Sequence, residues 1–396
     1  MYQMISIEDI YKAYYDCRKN KRNTLSALEF EIDYEARLHE LWVEVNNRTY
    51  SPSESIAFIV TKPRRREIFA ANFRDRVLHH LIDIKLRPLI EEDLIPTTCN
   101  NRVGKGTEGC VRYIEQHIKD CTENYTKDAW VCKIDMKGFF MSIRKSLLIN
   151  KIAEYTRQRY KGEDIEDVVW LLEVILSDNP EKHCRLKSDK SEWDKLDKEK
   201  SLFFIDDDLG LPIGNLISQL LANFYLNEFD HYLLDLGLVY VARYVDDTFI
   251  IHNSKEHILR CMPLLRNKLQ EVGVTLHPNK FYLQHYTKGV EMVGAVIRPG
   301  RIYVHNRTIN NAFRAIERLN KLHPSQKSFK KVLSVTNSYL GFMKHRASFN
   351  FRKRLIAALR KRWNKYFYTY KDYGKISLKN KYKLRYKIKQ QLQYGC

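Results

Sequence analysis

The spacing of apolar residues divides the chain into helical and strand-like stretches. Helical spacing covers residues 1–50, 72–86, 108–118, 143–177, 217–236, 255–272 and the chain from about 307 onward, with Pro88 expected near the end of the second stretch. Strand-like runs occupy residues 51–60, 129–136 and 239–252, and shorter ones lie near 274–276, 281–284, 291–297 and 302–304. Helices and strands alternate without a strict βαβ rhythm, which predicts an α+β fold with a helical C-terminal unit.

Two stretches differ from this pattern in composition. Residues 178–212 are charged and interrupted, which predicts a long surface insertion. Residues 351–396 contain fifteen Lys and Arg residues against a single acid, interleaved with aromatic residues. We expect the first half of this segment to be an amphipathic helix and its basic surface to contact a polyanion.

The overall charge narrows the class of partner. The chain of 396 residues has a net charge of +20, and a pI near 9.4. Such an excess favours nucleic acid as a partner, although a basic protein that binds anions without specificity explains the charge equally well. The eight cysteines form no CxxC pair and no zinc-type spacing, which indicates reduced thiols. We find no apolar leader and no stretch near the roughly 20 apolar residues of a membrane span, so we expect a soluble, cytoplasmic protein.

The clearest candidate chemistry is the sequence YVDD, residues 244–247, between two strand-like runs. Adjacent carboxylates at the tip of a hairpin repel each other unless a divalent cation lies between them and a further acid. The strand 129–136 supplies such an acid in Asp135, and three carboxylates suit Mg²⁺. Two such ions lower the pKa of an attacking hydroxyl and neutralise a leaving pyrophosphate. For YVDD alone, a solvated turn explains the acids equally well.

The surrounding motifs favour the catalytic interpretation. DMKGFFMS (135–142), GLPIGNLISQLLANFYL (210–226), YVDD, LHPNK (276–280) and Val293-Gly294 follow one another along the chain. In that order they resemble motifs A to D and the primer grip of reverse transcriptases, and the resemblance covers about residues 50–350. It implies a right-hand polymerase fold with fingers, an antiparallel palm sheet and a helical thumb. The implied domains are an N-terminal helical segment (1–50), fingers (51–128), palm (129–300, including the 178–212 insertion), thumb (301–350) and a basic aromatic extension (351–396).

The resemblance also implies roles for individual residues. The metal ligands are Asp135, the backbone carbonyl of Met136, Asp246 and Asp247, which hold two Mg²⁺ ions, with Mn²⁺ as a substitute. The residues expected to bind the dNTP are Lys62, Arg66, Phe140, Ile213, Gly214, Gln219 and Lys280. The residues expected to contact RNA or DNA are Arg102, Lys105, Tyr244, Val293, Gly294, Lys344 and His345. The Phe140 ring would exclude a 2′-hydroxyl, and Lys280 would protonate pyrophosphate or merely lie near phosphate.

The second polymerase motif narrows the subfamily. Most reverse transcriptases carry Gln-Gly-x-x-x-Ser-Pro, whereas this chain has Ile213-Gly214 followed by Ser218-Gln219. That form resembles the enzymes of bacterial and phage diversity-generating retroelements, as do EKSLFFIDDDLGLP (199–212) and SYLGFMKH (338–345). The resemblance implies adenine-directed, error-prone cDNA synthesis from template-repeat RNA for mutagenic retrohoming, in a bacterial host. It also implies a small, basic, oligomeric accessory protein, for which the 351–396 extension is one candidate surface and RNA another.

Three alternatives remain at this stage. A defence-associated or abortive-infection reverse transcriptase would share the catalytic centre but not the biology. Retron and group II intron enzymes fit less well, because they normally carry the Gln/Pro form of the second motif. An RNA-binding protein on a catalytically silent polymerase fold would keep the charge and lose the carboxylates. The template RNA, the target gene, the priming mode and the oligomeric state stay open.

Overall fold

The computed structural model describes residues 4–19, 24–62, 64–278 and 280–382. The chain divides into two units, each with its own hydrophobic core. The first unit comprises residues 1–110 and 130–283, and the second comprises 111–129 and 284–396. Mixed helices and sheets agree with the predicted α+β class.

The helices of the described residues follow the predicted helical stretches closely. They are α1 (Ile7–Arg18), α2 (Leu25–Glu31), α3 (Tyr34–Asn46), α4 (Phe73–Asp93), α5 (Gly106–Cys121), α6 (Phe139–Ser142), α7 (Lys145–Arg159), α8 (Ile165–Ser177), α9 (Leu216–Tyr225), α10 (Asn227–Asp235), α11 (Lys255–Glu271), α12 (Asn306–Asn320), α13 (Gln326–Lys344), α14 (Phe349–Ala358) and α15 (Lys361–Asn364). The predicted helix over 217–236 is thus two helices, α9 and α10, which meet at Leu226.

The strands of the described residues form two mixed or antiparallel sheets and two small antiparallel ones. They are β1 (Ser55–Val60), β2 (Arg66–Ala70), β3 (Trp130–Asp135), β4 (Cys184–Leu186), β5 (Tyr240–Tyr244), β6 (Asp247–His252), β7 (Tyr282–His285), β8 (Val290–Met292), β9 (Ala295–Arg298), β10 (Arg301–Val304), β11 (Phe367–Thr369) and β12 (Ile376–Leu378). The sheet orders are β2-β1-β4, β5-β6-β3-β7, β10-β9-β8 and β11-β12. The predicted strands at 51–60, 129–136 and 239–252 are therefore confirmed as β1, β3 and β5–β6.

The sheet of β5, β6 and β3 is the centre of the first unit. Its strands run antiparallel, and β6 lies between the other two. Four consecutive residues of β6, Thr248 to Ile251, are buried, because helices of this unit share one continuous core with the sheet. Only the two ends of β6, Asp247 and His252, are partly exposed. The acids Asp135 and Asp247 thus stand at strand ends, outside the buried run of β6.

Helix α4 corrects one prediction, since it continues past Pro88 to Asp93. Proline lacks the N–H that would bond to the carbonyl four residues earlier, which here belongs to Ile84. Ile84 is exposed (41%), so water can satisfy that carbonyl. The helix therefore tolerates the proline on its solvent side.

The segment 178–212 corrects a second prediction, because it is not a simple surface insertion. Four short 3-10 turns punctuate it, and β4 pairs in parallel with β1, Cys184 opposite Ser55. Trp193, Leu202 and Leu211 are buried. The charged residues between these apolar positions face solvent, which is why composition alone suggested a loop.

The second unit holds the C-terminal helices and corrects a third prediction. After α14 and the short α15, residues 367–378 form the β11–β12 hairpin and not a helix. Trp363 and Phe367 lie in the core of this unit, with 0% and 5% exposure, while Tyr368 and Tyr370 are exposed. Part of the aromatic content of the basic extension therefore stabilises the fold, and residues 383–396 of that extension lie outside the described residues.

Two further expectations concern thiols and membranes. No disulfide joins any two cysteines of the described residues, and Cys396 lies outside them. Among the helices described, none combines the length and apolarity that crossing a membrane requires.

Candidate active site

Three carboxylates occupy adjacent positions where two neighbouring strands end. β3 ends at Asp135, β6 begins at Asp247, and these two residues are register partners in the antiparallel ladder. Asp246 lies in the turn that joins β5 to β6, and its carbonyl accepts a hydrogen bond from the amide of Met136 at 3.3 Å. The structure therefore places the three predicted acids at one edge of one sheet.

Side chains from outside the hairpin fix this turn. Val245 adopts φ 61°, a left-handed conformation that is unfavourable for a β-branched residue. Its amide donates to Asn100 Oδ1 at 2.9 Å, and its carbonyl accepts from Arg243 Nη1 at 3.2 Å. The conformation that carries Asp246 thus depends on two polar side chains.

Arg243 is itself held in the protein interior. Its side chain is 1% exposed and pairs with Asp230, which is fully buried, through Nε–Oδ1 and Nη2–Oδ2 contacts of 2.7 Å each. Arg243 Nη1 also donates to Asn223 Oδ1, and Asn223 Nδ2 donates to the carbonyl of Asn100. These four side chains form one hydrogen-bonded network that reaches the Val245 turn from two directions.

The charges around the turn are unusually close. Burial, the Asp247 carboxylate and the Asp135 carboxylate raise the pKa of Asp246 above its ordinary value, while Arg66 opposes the shift. Lys280 Nζ lies 2.7 Å from Asp135 Oδ1, and Lys133 Nζ lies 2.9 Å from Asp247 Oδ2. Two ammonium groups therefore balance carboxylates whose mutual repulsion is otherwise unfavourable.

The predicted metal cluster is only partly supported by this geometry. Within the described ranges, no group of three or more His, Cys, Asp or Glu side chains is arranged closely enough to hold an ion. The donor chemistry does fit Mg²⁺, because all three groups are carboxylates. In this structure Asp135 and Asp247 instead contact the ammonium groups of Lys280 and Lys133.

Arg66 opens β2 of the β1–β2 hairpin with an exposed side chain. Its positive charge lowers the pKa of Asp246 against the larger effects of burial and the neighbouring acids. Lys62 is exposed between β1 and β2. The roles of both residues as triphosphate ligands stay predictions.

The turn before α9 lies against β2. The amide of Phe69 donates to the carbonyl of Ile213 at 3.0 Å. Gly214 has φ 123°, and a Cβ there would come within 2.8 Å of Ile68 Cγ2 and 3.0 Å of the Phe69 carbonyl oxygen. Only glycine allows this close approach, so the turn and the strand that carries Arg66 are held together.

Phe140 and Gln219 differ in how far they are buried. Phe140 lies in α6, is half-buried and packs beside the small apolar cluster that Ile213 also borders. Phe139, its neighbour, belongs to the main core at 3% exposure. Gln219 is exposed on α9. Phe140 and Ile213 therefore pack against the same small apolar cluster, whereas the Gln219 side chain faces solvent.

The loop before α5 is ordered by its own basic residues. Arg102 donates to the carbonyls of Ile95, Thr98 and Glu91, and its side chain is 9% exposed. Lys105 Nζ contacts the Pro96 carbonyl. Arg102 is thus held by backbone carbonyls, and its contact with nucleic acid stays a prediction. Tyr244, also predicted to bind nucleic acid, accepts a hydrogen bond from Thr107 at 3.2 Å.

The remaining predicted residues belong to the second unit. Val293 (φ 37°) and Gly294 (φ 81°) form the turn between β8 and β9, and Val293 is 46% exposed. Lys344 and His345 are exposed at the end of α13, where Lys344 lies 3.4 Å from Asp372. Their nucleic-acid contacts stay predictions.

Sequence reasoning missed several residues of this site. Lys133 had a detectable signal, because it stands two positions before Asp135 in a strand and so shares its face. Arg243, Asp230 and Asn100 had none, since their contacts join residues far apart in the chain.

Comparison with known proteins agrees with the site. Residues 60–297, more than half of the chain, match the family model described as "Reverse transcriptase (RNA-dependent DNA polymerase)". Protein YkfC of Escherichia coli (strain K12) is 23% identical over 192 residues, which are 48% of this chain and 43% of YkfC. The chain thus spans less than half the length of that relative. A solved structure of apo telomerase from Candida Tropicalis, truncated from the C-terminal domain, has a TM-score of 0.44 at 14% identity over 63% of this chain and 54% of that one.

Proposed function

We propose that this chain, which belongs to the reverse transcriptase (RNA-dependent DNA polymerase) family, extends a DNA primer on an RNA template by adding dNTPs. The observation that carries the proposal is the pairing of Asp135 with Asp247 across β3 and β6, with Asp246 in the adjoining turn. The matched residues 60–297 include all three acids. A catalytically silent RNA-binding protein would have no need to keep carboxylates crowded against one another.

The right-hand architecture follows as part of the proposal. The β5-β6-β3 sheet would be the palm, and the β1–β2 hairpin with Arg66 would belong to the fingers. The helices α12 and α13 of the second unit would form the thumb. The antiparallel sheet and the order of the motifs along the chain support these assignments.

The metal ligands of the proposed enzyme are Asp135, Asp246 and Asp247, with the Met136 carbonyl beside them. Divalent ions there, two Mg²⁺ with Mn²⁺ as a substitute, would supply charge neutralisation and activation of the primer hydroxyl. Lys133 and Lys280 would release their carboxylates when an ion binds. A test that does not require turnover is Mg²⁺-dependent thermal stabilisation of the protein, which the Asp246→Ala variant should lose.

The chain's own side chains would position the nucleotide. Arg66 has the charge and the location to bind the triphosphate near Asp246, and a guanidinium suits phosphate oxygens. Phe140 would lie beneath the sugar and exclude a 2′-hydroxyl. Lys280, which contacts Asp135 through Nζ, would have to leave that oxygen before it donates a proton to pyrophosphate.

The decisive assay measures dNTP incorporation on an RNA template with a DNA primer and Mg²⁺. We expect Asp246→Ala to abolish incorporation and Glu163→Gln to leave it unchanged. Glu163 is exposed and also belongs to the first unit, so it controls for the loss of one negative charge. Incorporation by the Asp246→Ala variant at the wild-type rate would refute the assignment of the site.

We further propose that the cDNA is error-prone opposite template adenine, for mutagenic retrohoming by a diversity-generating retroelement. The support is Ile213, an apolar residue where most of the family has an amide, which borders the same apolar cluster as Phe140. An amide lost near the nascent pair removes a polar check on base-pair geometry. The partners in this proposal are template-repeat RNA, a cDNA primer strand and a small basic oligomeric accessory protein.

Sequencing of the cDNA tests this finer proposal. We expect wild-type errors to cluster opposite adenine and Ile213→Gln to reduce them, with Ile213→Val as the matched apolar control. Unchanged misincorporation in Ile213→Gln would remove Ile213 from the explanation. Accurate wild-type cDNA would instead favour the defence-associated or abortive-infection alternative.

A further inference from the structure

Strand β2 has two faces with different partners. Its residues alternate between buried and exposed positions, with Glu67 and Phe69 at 1% exposure and Arg66 exposed. Successive side chains of a strand point to opposite faces. Glu67 and Phe69 therefore share one face, and Arg66 and Ile68 share the other.

The face of Glu67 and Phe69 is covered by residues 190–204, which we call the latch segment. Glu67 Oε2 accepts hydrogen bonds from Trp193 Nε1 and Ser201 Oγ at 2.6 Å each, and Oε1 accepts from the amide of Leu202 at 2.8 Å. A buried carboxylate is unfavourable unless its oxygens are satisfied. Here both oxygens have donors, and all three donors come from the latch segment.

Contacts on either side of Glu67 extend this attachment. Arg65 forms an ion pair with Glu192 of the latch segment. The Phe69 ring lies 5.8 Å from Phe203, which in turn meets Trp193 edge-on at 5.9 Å. The latch segment thus holds β2 at positions 67 and 69 and the chain just before it at position 65, and Arg66 lies between positions 65 and 67.

The opposite face of β2 lies against the turn before α9, where Ile68 packs against Gly214 and the Phe69 amide donates to the Ile213 carbonyl. Arg66, the proposed triphosphate ligand, shares this face with Ile68. A carboxylate with three fixed donors defines the rotation of the strand, whereas an apolar side chain would pack without a preferred direction. The direction of Arg66 is therefore set from the far side of the strand.

We infer that the latch segment is a positioning element of the nucleotide site: through Glu67 it fixes the rotation of β2 and so aims Arg66 at the triphosphate. This inference rests on the proposed function. Trp193 and Ser201 contact β2 through Glu67 and through packing. The inference therefore predicts that they affect nucleotide affinity and not the chemical step.

A double-mutant cycle with Arg66 tests the inference. Trp193→Phe keeps an aromatic ring, smaller than the indole, and removes the indole N–H, and Ser201→Ala removes the hydroxyl. Loss of both donors should raise the KM for dNTP about tenfold, the effect of roughly 1.4 kcal/mol. The kcat should stay within about twofold, because the contacts do not involve the reacting atoms. In an Arg66→Ala background the same pair of changes should raise KM no further.

The control variant and a second readout make each outcome decisive. Asp197→Asn removes an ion pair with Lys200 inside the latch segment and should change neither KM nor kcat. Binding of inorganic tripolyphosphate, with the same four proteins, should follow the same cycle without any turnover. An additive rise of KM in the Arg66→Ala background, or a loss of kcat at constant KM, would overturn the inference. One further outcome is a wild-type protein that binds tripolyphosphate as the cycle predicts and yet incorporates no dNTP. That result would overturn the proposed function and support the inference that the latch segment positions Arg66.

Discussion

Replacement of Arg243 by Met should separate the stability of the first unit from the geometry of its acidic turn. Arg243 and Asp230 are both buried, and all three guanidinium nitrogens of Arg243 donate hydrogen bonds. Met fills much of the same volume without a charge. Asp230 then remains buried, with Thr98 Oγ1 at 2.9 Å as its remaining side-chain donor.

The expected loss of stability follows from that isolated carboxylate. Removal of one partner of a buried ion pair typically lowers the free energy of unfolding by about 3–5 kcal/mol. We expect a value in the upper half of this range, because Arg243 also supports Asn223 and the Val245 carbonyl. Urea denaturation followed by circular dichroism measures it, with a separate transition for each unit if the two unfold independently.

A second substitution distinguishes the two roles of the pair. Asp230→Leu in the Arg243→Met background removes the isolated charge and should restore most of the lost stability, since well-packed apolar residues often replace a buried ion pair without loss. Primer extension should remain impaired, because the unfavourable φ of 61° at Val245 loses the donor that supports its carbonyl. Recovery of activity together with stability, or a loss below about 1 kcal/mol in Arg243→Met, would refute this reasoning.

Three other variants test single features of the structure. His79 is buried, which lowers its pKa from 6.5 to about 3. The unfolded chain therefore takes up the proton first as pH falls, and between pH 7 and 5 the free energy of unfolding should fall by up to about 1.4 kcal/mol per pH unit. Urea titrations at each pH measure this slope, which His79→Gln should remove. Gly214→Ala should lower the free energy of unfolding by about 1–3 kcal/mol and impair primer extension. Gly104 has φ 76° with open space around it, so Gly104→Ala should cause a smaller loss of stability. Equal losses in the two variants would refute the close-approach argument. Phe140→Ala should raise ribonucleotide incorporation about tenfold or more relative to dNTP, measured as a ratio of kcat/KM values, and Phe139→Leu should change stability but not that ratio.

Local pattern was sufficient for the elements that carry the acids. Asp135, Asp246 and Asp247 stand at the ends of strands whose apolar runs are fully buried in one sheet, so their positions follow from hydrophobic spacing and turn chemistry. The same logic failed at Pro88, because helix propensity does not record which side of α4 faces water. It failed again at Phe367 and Ile376, whose hairpin is stabilised by burial in the core of the second unit.

The polar supports of the site could not be predicted in this way, for a physical reason. Glu67 meets Trp193 across 126 positions of sequence, and Asn100 meets Val245 across 145. Each contact forms only after the fold has removed both partners from water. In the protein interior a hydrogen bond contributes more than it does in solvent. A charged residue such as Glu67 next to Arg65 and Arg66 looks like part of an exposed basic strand until its face of β2 is known.

These two supports act on different elements of the proposed site. The Arg243 network fixes the turn that presents Asp246, and the latch segment fixes the strand that presents Arg66. Both use a buried carboxylate, Asp230 in one case and Glu67 in the other, with donors on both oxygens. A buried carboxylate with several donors permits few orientations, so each support specifies direction where apolar packing would specify only proximity. Substitutions at such remote carboxylates should therefore change nucleotide selection, as should substitutions at Phe140 and Ile213 of the proposed nucleotide site.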